Sequence, residues 1–271
     1  MEELDYILGH SPREIQRLIQ QADISRPITE RLLMRLNIGP GARVLDLGCG
    51  AGDVSMLVAE LVGPTGRVIG IDQNAEVLAI ATERASKADL SHIVFEHASL
   101  ESFSTTESFD LVIGRYVLFH QADPIGFLRT AGRLVRAGGI IAFHEYRTKR
   151  PFDSVPSVPL WQMIGDFIYT ALQVALPHLD IGDRLIESFA EADLPQPELF
   201  SETPIGGGPD SPLYAWMAET FHSFLPQLAR IGLSLEELPR IDTLESRLRD
   251  AVVAARSQVT TPAQVCAWTH V

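Results

Sequence analysis

The residues with the clearest chemical capacity are Val44-Leu45-Asp46-Leu47-Gly48-Cys49-Gly50-Ala51-Gly52. An apolar run that breaks into alternate glycines lets backbone N–H groups approach a ligand closely, because no Cβ stands in the way. Two details narrow what that ligand can be. A dinucleotide fingerprint, Gly-x-Gly-x-x-Gly, would need its third glycine at position 53, which is Asp53. Asp46, just ahead of the loop, opposes a pyrophosphate and suits a ligand that carries an ammonium group. Unit charges about 4 Å apart attract by roughly 4 kcal/mol at an effective dielectric of about 20, which favours the cationic ligand even when heavily discounted for solvent. A second acid, Asp72, closes the run Val68-Ile69-Gly70-Ile71-Asp72, where it can accept both hydroxyls of a ribose.

Positioning two such acids side by side requires strands that end together, and the flanking sequence supplies them. Short apolar runs are expected as strands at Val44–Leu47, Arg67–Ile71, Ile93–Phe95, Phe109–Ile113 and Gly139–His144. Amphipathic helices alternate with them at 53–62, 74–86 and 123–135. That alternation predicts an α/β fold with a parallel sheet covered on both faces. Ahead of it, Ser11-Pro12-Arg13-Glu14 has the form of a capped helix start, with Ile15, Leu18, Ile19 and Ala22 on one face. A second helix is expected from Pro27 to Leu36. Beyond Tyr146 the pattern changes to a Pro-rich stretch, several amphipathic helices, a flexible break at Gly206-Gly207-Gly208, a strand at 198–201 and a last strand at 263–270.

From about Gly41 to Tyr146 the chain resembles the class I S-adenosylmethionine-dependent methyltransferases. The glycine motif and the strand ending in Asp72 carry the resemblance. Phe95–Phe103, Phe109–Leu118 and Leu134–Gly139 support it by position. It implies a doubly wound, seven-stranded, mostly parallel sheet whose last strand runs antiparallel, and S-adenosyl-L-methionine as cofactor. It also implies that Asp46 and Gly48 hold the methionyl end, with Cys49 in the same loop. Gly50 and Gly52 would permit close approach, Asp72 would bind the ribose, and Gln73 would lie against the adenine. Ala98, Ser99 and Leu100 would edge the adenine, and the backbone of Arg115 would flank the methionyl part. The family usually carries an acid where this chain has Ser99, so the adenine contact departs from the pattern there.

A sulfonium already activates its methyl group, so the protein must mainly align a nucleophile and exclude water. A base is needed only for some acceptors. His144 and Glu145, at the expected end of the fifth strand, and His120, near another strand's carboxyl edge, are the candidates, while His178, His222 and Tyr6 lie in segments that could cover the site. The domain plan is a helical lid segment at 1–38, a cofactor-binding core at 39–146, and a remainder at 147–271 with helical caps at about 147–178 and 206–256. Phe152, Trp161, Phe167, Tyr169, Trp216 and Phe221 fall in the caps, where they would line an acceptor pocket or form the caps' own core. The acceptor is expected to be a small, largely apolar organic molecule, methylated at O, N or C. The alternatives are an NAD(P)-dependent dehydrogenase, which would want the third glycine, and a catalytically silent cofactor-binding protein.

A formal net charge of −13 argues against a nucleic-acid partner. An acidic start and the lack of an apolar run of about 20 residues predict a cytoplasmic chain without membrane attachment. Two cysteines, Cys49 and Cys266, give neither a disulfide framework nor a metal site. Self-association as a homodimer is left open.

Overall fold

The structure is a computed structural model that describes residues 12–149, 152–232 and 240–271. Two compact units divide it. The α/β unit takes Arg26–Arg147, Asp180–Glu202 and Gln264–Val271, and the helical unit takes Thr148–Leu179, Thr203–Ala263 and the described residues before Arg26.

The α/β unit alternates β1 (Arg43–Leu47), α2 (Asp53–Val62), β2 (Arg67–Asp72), α3 (Ala75–Lys87), β3 (Ile93–His97), β4 (Phe109–Arg115), α4 (Pro124–Arg133) and β5 (Val135–Tyr146). It then resumes with α6 (Leu185–Glu191), β7 (Glu198–Glu202) and β10 (Gln264–His270). The seven strands stand in the order β3-β2-β1-β4-β5-β10-β7, and β10 runs antiparallel to both its neighbours. This is the expected doubly wound sheet with its antiparallel last strand. Local chemistry sets the helix starts. Asn74 accepts the N–H groups of Glu76 and Val77 ahead of α3, and Asp123 caps α4 by accepting from Gly126, with Pro124 as the first helical residue. One face of the sheet packs Leu111, Ile113, Ile140, Ala142 and Trp268 against Leu32, Leu33, Val54 and Val58, all buried. On the other face Phe143 meets Phe127 and Phe189 edge-on.

Several elements differ from the sequence expectation. The two helices read at 11–22 and 27–36 are one, α1 (Pro12–Leu36), with Pro27 inside it. Proline removes one backbone donor, and the carbonyl it strands belongs to Asp23, an exposed residue that water can serve. Ser11 lies outside the described residues, and Glu14 turns its carboxylate to Arg17 and Ser223. Strand β5 begins at Val135 rather than Gly139, because the Phe109 N–H takes the Leu134 carbonyl and the ladder then shifts register before Leu111.

The helical unit holds the first half of α1, then β6 (Asp153–Val155), α5 (Pro159–Ala175), β8 (Ile205–Gly206), α7 (Leu213–Ser223), α8 (Leu225–Arg230), α9 (Leu244–Ala255) and β9 (Gln258–Thr260). β6 and β8 flank β9 in a small antiparallel sheet. The glycine stretch is therefore no free break: Gly206 pairs with Val259, and a Cβ at Gly207 would lie 2.8 Å from the Ser257 carbonyl oxygen. Trp161 meets Tyr214 edge-on, and Phe167 meets Phe221, within a core shared by α5, α7 and α9. No helix among the described residues is long and apolar enough to cross a membrane.

Candidate functional site

Strand order reverses between β1 and β4, and in open α/β sheets ligands bind in the crevice outside the carboxyl ends of strands at that point. The glycine loop leaves β1 there, with Gly48, Gly50 and Gly52 all in the left-handed region at φ +64°, +53° and +82°. At Gly52 an added Cβ would stand 2.9 Å from Phe95 and 3.2 Å from Ala81, so this glycine seats the loop against the fold. At Gly50 an added Cβ would meet nothing within 4 Å, which leaves its backbone open to a ligand. Cys49 braces the loop from within: its N–H donates to Ile71, its carbonyl accepts from Gly52, and its buried sulfur packs on Gly70.

Asp46, next to last in β1, is only 1% exposed. Ser55 donates to its Oδ2 at 2.6 Å. Burial pushes its pKa up to about 7; the Ser55 hydrogen bond and the charge of Arg115 pull down, while Asp72 adds to the rise. A buried carboxylate bonded to a hydroxyl and, among the described residues, to no cation fits the ammonium group of an amino-acid ligand. Asp72, at the end of the neighbouring β2, accepts the N–H of Gly50 on one oxygen and that of Asn74 on the other, each at 2.9 Å. It thus holds the loop and the following turn, and each oxygen keeps lone pairs for a sugar hydroxyl.

Around this pair the other predicted residues take varied places. Gln73 is exposed, and its carbonyl meets His97 Nε2 at 2.8 Å. The Ala98 N–H ties back to the Asp72 carbonyl. Ser99 and Ser102 form a reciprocal turn, Ser99 N–H to Ser102 Oγ and Ser102 N–H to Ser99 Oγ, and Leu100 is buried beside it. The guanidinium of Arg115 lies 3.9 Å from Asp53 and donates to Thr29 Oγ1 at 3.3 Å.

His144 and Glu145 point to opposite faces of β5, as strand geometry requires. Both are fully buried. His144 is held at both ring nitrogens, Nδ1 by Thr29 Oγ1 at 3.1 Å and Nε2 by Gln264 Oε1 at 3.2 Å. The donors run in one consistent sense: Arg115 donates to the Thr29 hydroxyl, which donates to Nδ1, while Nε2–H donates to Gln264. Burial, then the Arg115 charge, pushes the imidazole pKa down to about 3 against the raising effect of Gln264, so the ring is neutral. Glu145 Oε1 accepts the N–H groups of Val117 and Leu118 at 3.0 and 2.9 Å, and its Oε2 has no partner among the described residues. Burial raises this carboxyl to about 8 despite those two bonds.

Sequence reading missed Ser55, Thr29, Tyr116 and Gln264. Tyr116, the first residue past β4, has φ +58°, a genuine outlier for so bulky a residue. Its N–H donates to the His144 carbonyl and its hydroxyl to Gln264 Oε1 at 2.6 Å, and its ring stacks flat on Tyr146, 4.1 Å between centroids. His120 lies against Phe119, and His222 sits on α7 with its pKa lowered chiefly by burial. His178 is half-buried in the helical unit, and Tyr6 lies outside the described residues.

Known proteins resemble the chain in the same place. A family model described as a methyltransferase domain matches residues 38–168. A demethylmenaquinone methyltransferase from Listeria monocytogenes is 30% identical over 203 residues, 74% of this chain and 71% of that protein. An arsenite methyltransferase from Aquipseudomonas alcaligenes is 34% identical over 124 residues, 42% of this chain; the match spans only 36% of the relative's length. The crystal structure of the YcgJ protein from Bacillus subtilis shares the fold, with a TM-score of 0.59 over 89% of this chain and 97% of its own at 14% identity. Both relatives named for an activity are methyltransferases, and neither is a nicotinamide-dependent dehydrogenase.

Proposed function

The chain belongs to the class I S-adenosylmethionine-dependent methyltransferases, and on that premise we propose that it methylates a small, largely apolar organic acceptor at an O, N or C atom. The observation that carries the reading is the buried Asp46 carboxylate beside an open Gly50 backbone, a pair that rejects phosphate and receives an ammonium group. Asp46, Gly48, Gly50 and Asp72 would hold the cofactor's methionyl and ribose parts, with Gln73, Ala98, Ser99 and Leu100 toward the adenine. The bound cofactor supplies a methyl group already activated by its sulfonium.

In this reading the residues of the chain align and exclude water rather than generate a strong nucleophile. His144, neutral and held at both nitrogens, positions Thr29, Arg115 and Gln264. Glu145 is the better candidate to exchange a proton, since its Oε2 has no partner among the described residues and burial brings its pKa up to about 8. An organic acceptor is favoured over arsenite, the substrate in one relative's name. Trivalent arsenic is soft and takes thiolates, whereas both cysteines of this chain are buried thiols whose burial pushes their pKa values up.

Labelled methyl transfer from S-adenosylmethionine to a panel of a reduced naphthoquinone, catechol, indole and arsenite tests the proposal. Transfer to one or more of the aromatic compounds and none to arsenite is the expected result. Transfer to arsenite alone would overturn the acceptor assignment.

A further inference from the structure

The chain leaves β4 through Tyr116, Val117 and Leu118, and residues of β5 and β10 tie that exit down. The Tyr116 N–H donates to the His144 carbonyl, and its hydroxyl donates to Gln264 Oε1. Its backbone sits at φ +58°, a conformation that a bulky residue keeps only where its surroundings over-determine it. The next two N–H groups, of Val117 and Leu118, open a single 3-10 turn at Leu118–His120, so no carbonyl of that turn receives them. Both residues are buried, and both N–H groups donate to one atom, Glu145 Oε1. What this grip holds in place is the Val117 side chain, which fits between two glycines. A Cβ on Gly114 would stand 2.7 Å from Val117 Cγ1, and a Cβ on Gly48 would stand 2.9 Å from Val117 Cγ2. Gly48 begins the loop that leaves β1, so Val117 is the wall on which that loop rests.

We propose that Glu145 is a positioning residue for the cofactor: by holding the Val117 and Leu118 N–H groups it keeps Val117 against Gly48 and so sets the methionyl end of the crevice. This rests on the place given to Gly48 in the proposed function above, and it is independent of any proton that Glu145 exchanges with an acceptor. Each contact in the series, from Glu145 to Val117 to Gly48, lies within the α/β unit. The role needs an oxygen that accepts twice, not a charge or a proton, so an amide carbonyl in the same place can serve. A side chain without that oxygen leaves two buried donors unpaired. The turn must then shift to find other acceptors, and Val117 comes off the loop with it.

The test measures the affinity of the full chain for S-adenosylhomocysteine by titration calorimetry, and follows the backbone amide resonance of Gly48 by nitrogen-15 NMR. Glu145→Gln should bind within about twofold of the parent chain and leave the Gly48 resonance near its parent position. Glu145→Ala should bind about tenfold more weakly and move that resonance even without ligand. Val117→Ala, which trims the wall and leaves the grip, should bind several-fold more weakly. Because both substitutions act on one contact, the double variant should bind about as weakly as Glu145→Ala alone, not by the product of the two losses. Losses that multiply would overturn the inference, as would a Glu145→Gln variant as weak as Glu145→Ala. If Glu145→Ala does not fold, the other two single variants decide: full affinity in Val117→Ala, or a tenfold loss in Glu145→Gln, overturns it. A purely structural role would lower the denaturation midpoint of Glu145→Ala and leave both the affinity and the Gly48 resonance unmoved. A parent chain that binds S-adenosylhomocysteine without moving the Gly48 resonance sinks the reading of the crevice, and this inference with it. A parent chain that moves it, with Val117→Ala binding as tightly, sinks this inference alone.

Discussion

Asp46 sets a pH dependence that follows from its surroundings. In the folded chain its carboxyl keeps its proton up to about pH 7, whereas an unfolded aspartate loses it near about pH 3.9. The folded state therefore binds the extra proton between those values, so this group's contribution to stability falls as pH rises through them and its full cost is present above about pH 7. An ammonium ligand favours the ionised form and must expel that proton below pH 7. Affinity for S-adenosylhomocysteine should accordingly rise by up to about tenfold per pH unit toward pH 7 and then level off. Calorimetry in buffers of different ionisation enthalpy should show proton release, and Asp46→Asn should bind more weakly with a flat profile. An affinity that ignores both pH and the substitution would contradict this role. Asp46, Asp72 and the glycines were legible in the sequence because their meaning lies in residue type and short spacing. Thr29, His144 and Gln264 meet across 115 and 120 positions of chain, and nothing local announces such a contact.

Among the elements, those with strong local punctuation matched expectation closely. Helix α3 begins at its Asn74 cap, α4 at Pro124, and β10 pairs between β5 and β7 from residues read as a last strand. Failures came where tertiary pairing overrode punctuation. Pro27 reads as a helix start, yet the apolar face of Ile28, Leu32 and Leu33 continues the helix through it. Gly206–Gly208 reads as a break, yet a strand distant in sequence pairs with it. The turn from β1 into α2 is the element on which the site depends most. Gly52→Ala would add a Cβ at φ +82°, 2.9 Å from Phe95. Strain and overpacking together should cost about 1–3 kcal/mol, read as a lower denaturation midpoint with an unchanged slope, together with weaker cofactor binding. A midpoint equal to that of the parent chain would mean the loop relaxes without cost.

At the scale of the molecule, the first five strands of the α/β unit were readable because they alternate with helices through one stretch of chain, Arg26–Arg147. The helical unit was not, since it gathers separated stretches of chain and ties them with strands of two or three residues. Its core rests on large side chains, with Trp161 and Tyr214 wholly buried. Trp161→Ala should destabilise the protein by about 3–5 kcal/mol in chemical denaturation, and a loss under 1 kcal/mol would show that the site refills. The central claim, that the crevice between β1 and β4 is built for a cationic, phosphate-free nucleoside, is tested most directly by titration calorimetry of the whole chain with S-adenosylmethionine and with NAD. S-adenosylmethionine should bind, with binding weakened by roughly 1.5–3 kcal/mol in Asp72→Ala, and NAD should give no heat. Tight binding of NAD with no response to S-adenosylmethionine would contradict it.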